Sequence, residues 1–515
     1  MRPTFLGFEM GRKGLAVAQK GLDITGQNLA NISTPGYTRQ RIDQVSVSAY
    51  GYTSRNAGNR IDFGGQGVTI TGIQQTRDTF LDKRFREEYS DNCYYQEKVD
   101  ALADIANIVD EFASADSGLL ASVNQISSAL QTMTGEKATD RSCANVLRTS
   151  FQGLIQTLHD YSNGLDEIAE QQAYNLEIAI NDVNDISAKI ADLNEQIVNE
   201  IALNSGDVDV YGPNELLDNR NLLLDELSQY GNVQIKEEDD NSVTVMLGDH
   251  VIVKGNKADK IQTMSHPNNV VTMHWNSSNE QVKLTSGSLL AATEVINGRG
   301  PDLQSEYESH EKGVLYYKDQ LDTFARTLAG VMNNILPTQT DANGNPVGEN
   351  FRKLFGALVE GKNGIYEITQ DVEITAANIS ISQEWTDEVS YVFPSATSLT
   401  NSQYFSDMNA RLLTNKNTEF MTGSQTFNGS FRDFITDIHN TCTGEESYYQ
   451  GRLDASGAVA DQLLNQRDSV SAVSKDEETT NMLTYQKSFE AMSRIITAMD
   501  EMLDVIINQM GLVGR

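Results

Sequence analysis

Cysteine is nearly absent from the chain: Cys93, Cys143 and Cys442 are its only three in 515 residues. An odd count cannot close fully into intrachain bridges, and no pair stands at metal or redox spacing, so each reads as a small buried hydrophobe. Basic side chains are scarce too. Against 39 Lys and Arg stand 72 Asp and Glu, a net charge of −33. That charge repels nucleic-acid phosphates and anionic lipid head groups alike, so neither is an expected partner. No run of about 18 apolar residues occurs, the length a spanning helix needs, and no membrane insertion is expected. Gly7, Glu9 and Gly11 stand where a Sec-type signal would need an apolar core, so secretion by a cleaved signal peptide is not expected either.

Catalytic frames are also missing. His159, His250, His266, His274, His310 and His439 form no HExxH frame, and His310-Glu311 has no second histidine one turn on. The glycine-rich Phe63-Gly64-Gly65-Gln66-Gly67-Val68 lacks the Lys-Ser/Thr and helix start that hold a phosphate, and reads as a turn before a strand. No GxSxG occurs. The run Glu237-Glu238-Asp239-Asp240 reads as a loop between strands, with nothing to shield one carboxylate and raise its pKa. No catalytic residue, cofactor or metal is expected, and the chain reads as non-enzymatic.

What is present is periodicity. Helical patterning runs from Met1 to Ile32 and stops at Ser33-Thr34-Pro35-Gly36, where proline removes a donor and restricts its predecessor. Residues 37–76 read as extended, turn-rich chain, with Ile42, Val45, Val47, Val68, Ile70 and Ile73 among glycines 51, 58, 64, 65, 67 and 72. Helix resumes near Asp78 and continues in pieces to Leu165. A narrow stripe of Leu176, Val183, Ile190 and Ile197 with Ala179, Ile186 and Leu193 then predicts a rod on the order of 45 Å long at ~1.5 Å per residue. A further helix covers Leu216 to Tyr230. The period switches to two at Val233/Ile235, Val243/Val245, Val251/Val253 and Val271/Met273, predicting strands. Helix is expected again over 288–336, then a loop at Asp341-Ala342-Asn343-Gly344-Asn345-Pro346. A second strand-rich stretch with Tyr366, Ile368, Val372, Ile374, Ile379 and Ile381 follows. Residues 395–430 carry no clear period, and 430–509 is helical with a break near 469–475.

A prior of ~150 residues per domain gives about three. The expected class is mixed α and β, multidomain: a terminal helical coiled coil (1–60 and 470–515), a long-helix scaffold built from both halves of the chain (61–230, 286–336 and 401–469) and an inserted β-rich outer domain (231–285 and 337–400).

Both ends carry heptads. Met482, Phe489, Ile496, Leu503 and Met510 fall at seven-residue intervals, with Tyr485, Met492, Met499 and Ile506 between them. Phe8, Leu15, Leu22 and Leu29 keep the same interval, with Ala18, Thr25 and Ile32 at the second position and Gly11 as the weak point. Ordering a helix costs ~1–2 kcal/mol per residue in backbone entropy against ~1.5–3 kcal/mol per buried seam side chain, so the last helix alone is marginal. It needs a partner, which periodicity leaves open between an intrachain hairpin and neighbouring copies.

The string Asn28-Leu29-Ala30-Asn31-Ile32-Ser33-Thr34-Pro35-Gly36-Tyr37-Thr38-Arg39-Gln40 strongly resembles the N-terminal signature of the bacterial flagellar axial proteins, the rod, hook and hook-associated family. Gly65-Gln66-Gly67-Val68 with Ile73, Asp78, Phe80 and Leu81 is similar to the hook-associated protein 1 branch of that family. So are Leu216-Leu217-Asp218-Asn219-Arg220 with Leu224-Asp225-Glu226-Leu227-Ser228, Ile374 to Ile379, and Gln466-Arg467-Asp468-Ser469-Val470 with Asp476-Glu477-Glu478 and Tyr485-Gln486. Two departures stand out: Ser471-Ala472-Val473-Ser474-Lys475 where the family usually has a glycine, and Gln75 where a basic residue is common.

The resemblance implies a structural protein of the flagellum, exported by its type III apparatus with the help of an export chaperone. It would form a ring of copies between the hook protein and hook-associated protein 3, at the hook–filament junction outside the cell. It further implies that Leu15, Leu22, Leu29 and Ile32 pack against Phe489, Ile496, Leu503 and Ile506 in an inner tube, with Tyr485, Met492 and Met499 completing the seam. Thr34, Pro35, Gly36 and Tyr37 would turn the chain outward. Another axial protein, hook or distal rod, shares the first string, and a secreted adhesin using residues 231–285 is a further alternative. On this reading Leu22→Asp or Ile496→Asp leaves the middle of the chain folded and abolishes incorporation at the hook tip; normal filaments on either mutant would remove the seam from the account.

Overall fold

The computed structural model describes residues 4–47, 67–114, 117–204, 212–301, 307–339, 350–360, 366–414 and 417–509. The glycines at 51, 58, 64 and 65, the loop 341–346 and Met510 lie outside them. In chain order the elements are α1 (Thr4–Ala30), β1 (Gln40–Ser46), β2 (Val68–Gln75), α2 (Thr79–Ala113), α3 (Gly118–Thr132), α4 (Arg141–Asn204), α5 (Asn214–Leu227), β3 (Val233–Glu237), β4 (Val243–Leu247), β5 (His250–Lys254), β6 (Lys257–Ala258), β7 (Ile261–Ser265) and β8 (Val271–Trp275). There follow α6 (Ser288–Asn297), α7 (Val314–Met332), β9 (Phe355–Glu360), β10 (Tyr366–Thr369), β11 (Ile379–Ile381), α8 (Gln383–Asp387), α9 (Ser398–Leu413), β12 (Thr418–Thr422), β13 (Gln425–Gly429), α10 (Phe431–Ser471) and α11 (Lys475–Asp504). The class is mixed α and β, dominated by helix.

Two compact units form where three domains were expected: residues 1–90, 183–260 and 456–515 make one, and 91–182 with 261–455 the other. The expected single β domain does not form among the described residues. Strands β3-β4-β5-β6 make one antiparallel sheet and β7-β8 a separate hairpin, while β10-β9-β11 is a third sheet that pairs with neither. Residues 231–285 are therefore split between the units and are not one module. A period of two marks strands but carries no information about which strands share a ladder.

In the first unit, β1 and β2 pair antiparallel with a bulge between Asp43 and Gln44. Ile42, Ile70 and Ile73 from this hairpin bury against Val17 and Ile24 of α1, with Val68 and Tyr485 at the edge. Alternation on the strands and a four-residue-plus-three spacing on α1 meet on one apolar patch. The sheet β3 to β6 turns at Asn241, Gly248 and Gly255, all at positive φ (64°, 62° and 58°), and encloses Val243, Val245, Leu247, Ile252 and Val253. Asn194 of α4 plugs its edge: the amide donates to the carbonyls of Val243 and Gly255 (3.0 and 2.9 Å) and accepts from Val243 N–H (3.1 Å).

The second unit holds the larger core. Phe151 of α4 stands edge-on to Phe355 and Trp385 at 5.3 and 5.7 Å, and all three are fully buried. Phe420 stacks on Phe434 at 4.2 Å and lies edge-on to Phe431 at 5.0 Å. Gly164 lets Ile108 of α2 approach α4 to 3.0 Å from where a Cβ would sit. Helix α4 is continuous over 64 residues, about 95 Å at ~1.5 Å per residue. Its apolar stripe thins between Leu165 and Leu176, but those residues are strong helix formers without proline, so the expected pieces fuse. The expected helix over 288–336 is instead broken between α6 and α7, where the chain doubles back so closely that a Cβ on Gly298 or Gly313 would strike the backbone of the crossing segment.

Strands β12 and β13 and helix α9 occupy the stretch that carried no clear period. The buried stripe of α9 begins with polar Thr400 and Asn401 before Phe405, Met408 and Leu412, which hides it from an apolar count. Val372 and Ile374 lie outside the strands.

Both tryptophans, Trp275 and Trp385, are buried in this unit, so their fluorescence follows it alone. Phe151→Ala should cost about 3–5 kcal/mol, seen as a lower urea midpoint of tryptophan emission; a midpoint unchanged from the parent would contradict the aromatic core.

Candidate assembly site

Helices α1 and α11 lie side by side and antiparallel. A Cβ added at Gly7 would collide with the Met499 side chain, at Gly11 it would stand 2.9 Å from Ile496 Cγ1, at Gly14 2.9 Å from Met492 Sδ, and at Gly21 2.6 Å from the Tyr485 ring. Ala18, Thr25 and Asn28, each at most 2 % exposed, continue the same line. The face of α1 toward α11 is thus a heptad of small residues, 7-11-14-18-21-25-28, and the bulky seam of α11 fills the space they leave. Absent side chains let two helix axes come closer than the usual ~8–10 Å.

This shifts one of the two expected positions on α1, while Ala18 and Thr25 of the other lie on the line. Gly11 is a point of close approach, not a weak point, and the α11 seam meets the glycine line. The expected set of Leu15, Leu22 and Leu29 lies one residue beyond it and is half-buried, while Ile32 and Phe8 are 43 % and 37 % exposed. On α11, Tyr485, Phe489, Met492, Ile496, Met499 and Leu503 are half-buried, and Ile506 is exposed. An apolar count rewards bulk, whereas here one partner supplies the bulk and the other its absence. The regular spacing of small residues in α1 carried that signal. Leu483, Ile495, Met502, Val505 and Ile507 face outward and are 43–70 % exposed.

Beyond the seam, a polar clasp joins three stretches distant in sequence. After α1, Thr34 N–H donates to Asn31 C=O (2.9 Å) and Tyr37 N–H to Thr34 C=O (3.2 Å), with Gly36 at φ +76°. Thr34, Pro35 and Gly36 are exposed; Tyr37 is half-buried and its hydroxyl donates to Asn28 Oδ1 at 2.9 Å. The Asn28 side chain also accepts from Gln40 N–H (3.1 Å) and donates to Gln40 C=O (2.8 Å) and Glu478 Oε2 (3.2 Å). It stands in for a strand at the edge of β1.

Glu478, 2 % exposed, receives Arg39 Nε at 2.8 Å, and Arg39 reaches Glu477 at 2.6 Å. Arg39 N–H donates to Ser471 C=O (2.9 Å). A buried carboxylate is tolerable here because charge-assisted and neutral donors share it.

The third stretch is α5. Asp218 accepts from Thr38 N–H (3.1 Å) and Gln75 Nε2 (2.9 Å). Burial pushes its carboxyl above the ordinary range, with the Thr38 and Gln75 hydrogen bonds and the Arg77 charge offsetting part of that. Arg77 holds Asp82 through two 3.0 Å bonds, while Asp225 binds both Arg86 (2.6 Å) and Arg467 (2.7 Å). The two departures from the family pattern both serve the clasp: Gln75 donates to Asn214 C=O and Asp218, and Ser474 caps α11 by accepting from Glu477 N–H. Arg39, Glu478, Asp218 and Asn28 were legible as motif letters, but their joint role appears only when residues some 450 apart meet.

Nothing in this arrangement resembles acid–base or nucleophilic machinery, and among the described residues no three His, Cys, Asp or Glu converge as a metal would need. What it does is hold the first and last segments in one register while leaving an apolar outer face.

Comparison with known proteins gives matching information. Residues 105–351 match the helical domain of the flagellar hook-associated protein FlgK, residues 8–38 the flagella basal body rod protein family, and 465–510 the C-terminal region of the basal body rod FlgEFG proteins. Flagellar hook-associated protein 1 of Bacillus subtilis is 27 % identical, with all of both chains covered. The Salmonella typhimurium protein of the same name is 22 % identical over 96 % of this chain and 98 % of its own. The flagellar hook junction protein FlgK from Burkholderia pseudomallei has a similar fold, with a TM-score of 0.55 at 15 % identity, covering 76 % of this chain and all of that one.

Gly21→Val should push Tyr485 out of its seat at a cost of about 1–3 kcal/mol. The expected readout is lost amide protection across α11 with the tryptophan-reported unit unchanged; protection equal to the parent would contradict the close approach.

Proposed function

The chain belongs to the flagellar hook-associated protein 1 family, and from that premise we propose how it works at the junction of hook and filament. Its role is structural, not catalytic. One observation carries the mechanism: the two ends pair through α1 and α11, and α11 keeps only Glu478 buried. A helix with that little burial within its own subunit gains most from neighbours, so the outer faces bearing Leu483, Ile495 and Met502 of α11 pack on further copies arranged around the flagellar axis. The inner tube so formed is closed by seams between copies, and the turn Thr34-Pro35-Gly36-Tyr37 sends the chain outward from it.

The same marginal balance suits passage through the flagellar type III exporter. Terminal helices that gain their stability in the assembly can travel unfolded and order at the tip. An export chaperone covering the apolar face of α11 would keep it from self-association beforehand. The neighbours are hook protein on one side and hook-associated protein 3 on the other, and the site of action is the external flagellum. No helix among the described residues is long and apolar enough to cross a membrane.

Cells lacking the gene should build hooks, carry no filament and release flagellin into the medium. Filaments on such cells would overturn the junction role, and missing hooks would point to a rod or hook role instead.

A further inference from the structure

Within the first unit a cleft of about 710 Å³ opens between the start of α2, helix α5 and strand β3. In a chain of net charge −33 its lining is unusual: Arg77, Lys83, Arg86 and Arg220 against Asp82 and Glu237. Arg77 is spent on Asp82 and Arg86 on Asp225. Arg220 is not spent on any carboxylate among the described residues. It is 6 % exposed, donates to the neutral Asn194 Oδ1 (3.1 Å) and Asn241 C=O (2.8 Å), and keeps a buried Nε without a partner. Burial pushes this guanidinium down to about 10, the mark of a charge whose hydration has not been replaced. Glu237 lies on the same cleft and raises it only in part, without bonding to it.

The remaining walls are apolar, formed by Leu217, Leu224, Val233, Ile235 and Val243, and Phe80 stands at the rim 64 % exposed. An orphan cation at an apolar-walled opening selects a carboxylate carried on an apolar neighbour, since the ion pair and the wall contact are gained together. Lys83, 68 % exposed, stands on the same lining; its surface pair with Glu87 one turn on (3.7 Å) is long and solvated, and so holds it weakly and leaves its charge to steer the incoming carboxylate inward.

We propose that this cleft docks an Asp or Glu side chain, flanked by an apolar residue, from a second copy of the chain. A copy is the occupant because the chain presents 72 acidic residues and, on the junction reading this inference rests on, polymerises with itself. The contact is separate from the terminal-helix seam and would set the spacing of neighbours outside the inner tube.

The test places the photo-crosslinking residue p-benzoylphenylalanine at Phe80 of the full chain in flagellated cells, followed by irradiation and peptide mapping. The expected product is a cross-linked pair of copies, joined within two or three residues of an Asp or Glu. Lys83→Glu in the same background should lower its yield by about fivefold or more; as an exposed side chain it leaves the fold intact, which circular dichroism checks. Arg220→Met should lower it further.

Chain present at the hook tip with no cross-linked pair, or joined to hook protein or another axial protein, overturns the cleft proposal alone. Yield unchanged by Lys83→Glu does the same. Chain absent from the tip in the unsubstituted parent overturns the junction reading and this inference with it.

Discussion

The carboxylate of Glu478 is the one interaction on which the first unit depends. It is the only buried residue of α11, and it meets Arg39 and Asn28 at the point where the first helix ends and the first strand begins. Because that carboxylate is fixed, the phase of α11 is fixed, and each seam residue further along arrives opposite a missing side chain of α1. Without an anchor, an apolar helix against a nearly featureless glycine groove could slide by a turn with little change in buried area. Polar groups at one end of a coiled coil commonly set register in this way. The glycine line then makes the fit close and the clasp makes it unique.

The same economy recurs through the molecule in the use of asparagine. Asn28 bonds both backbone groups of Gln40. Asn194 bonds both groups of Val243, Asn297 both groups of Val271, and Asn333 the N–H and C=O of Phe355. Each is buried and sits on or just after a helix, presenting its amide to a strand as another strand would. A helix-rich chain with short sheets has many strand edges and few strands to cover them, and each uncovered N–H or C=O in the interior carries a desolvation cost. The side-chain amide, with one donor side and one acceptor side, satisfies a strand residue completely and also fixes the helix to the sheet.

Much of this was legible in the sequence and some was not, for definite reasons. The end of α1 before Pro35, the strands around Val243 and Val253 and the break before α11 follow from local chemistry and appear where expected. The position of the seam on α1 was half legible: Ala18 and Thr25, at the expected second position, are buried on it, while Phe8, Leu15, Leu22 and Leu29 make a heptad as regular as Gly7, Gly14, Gly21 and Asn28 one residue away. Bulk and absence of bulk have the same period, and only the partner's shape decides between them. The clasp was visible as motif letters yet not as a site, since Asn28, Asp218 and Glu478 are brought together by tertiary contacts with no local signature. The division of the strands between two units was likewise beyond a reading based on period, which specifies faces and not pairings.

Strength is distributed unevenly along the terminal pair. Near the clasp, charged and neutral hydrogen bonds converge on buried groups; at the far end of α11 and just past it, Met502, Val505 and Ile507 are 43–70 % exposed. A helix held firmly at its start and loosely at its end, with an acidic first turn at Asp476, Glu477 and Glu478 matched to its dipole, orders from the clasp outward. On the assembly reading proposed above, the distal turns would then settle according to the neighbours they meet. A rigid hairpin would have to fit one neighbour geometry, whereas a subunit placed between two different structures must satisfy two. On that same reading, anchoring the register at Glu478 and leaving the distal seam unsaturated would reconcile those demands: the subunit's own fold is fixed, and its contact with the next one can adjust.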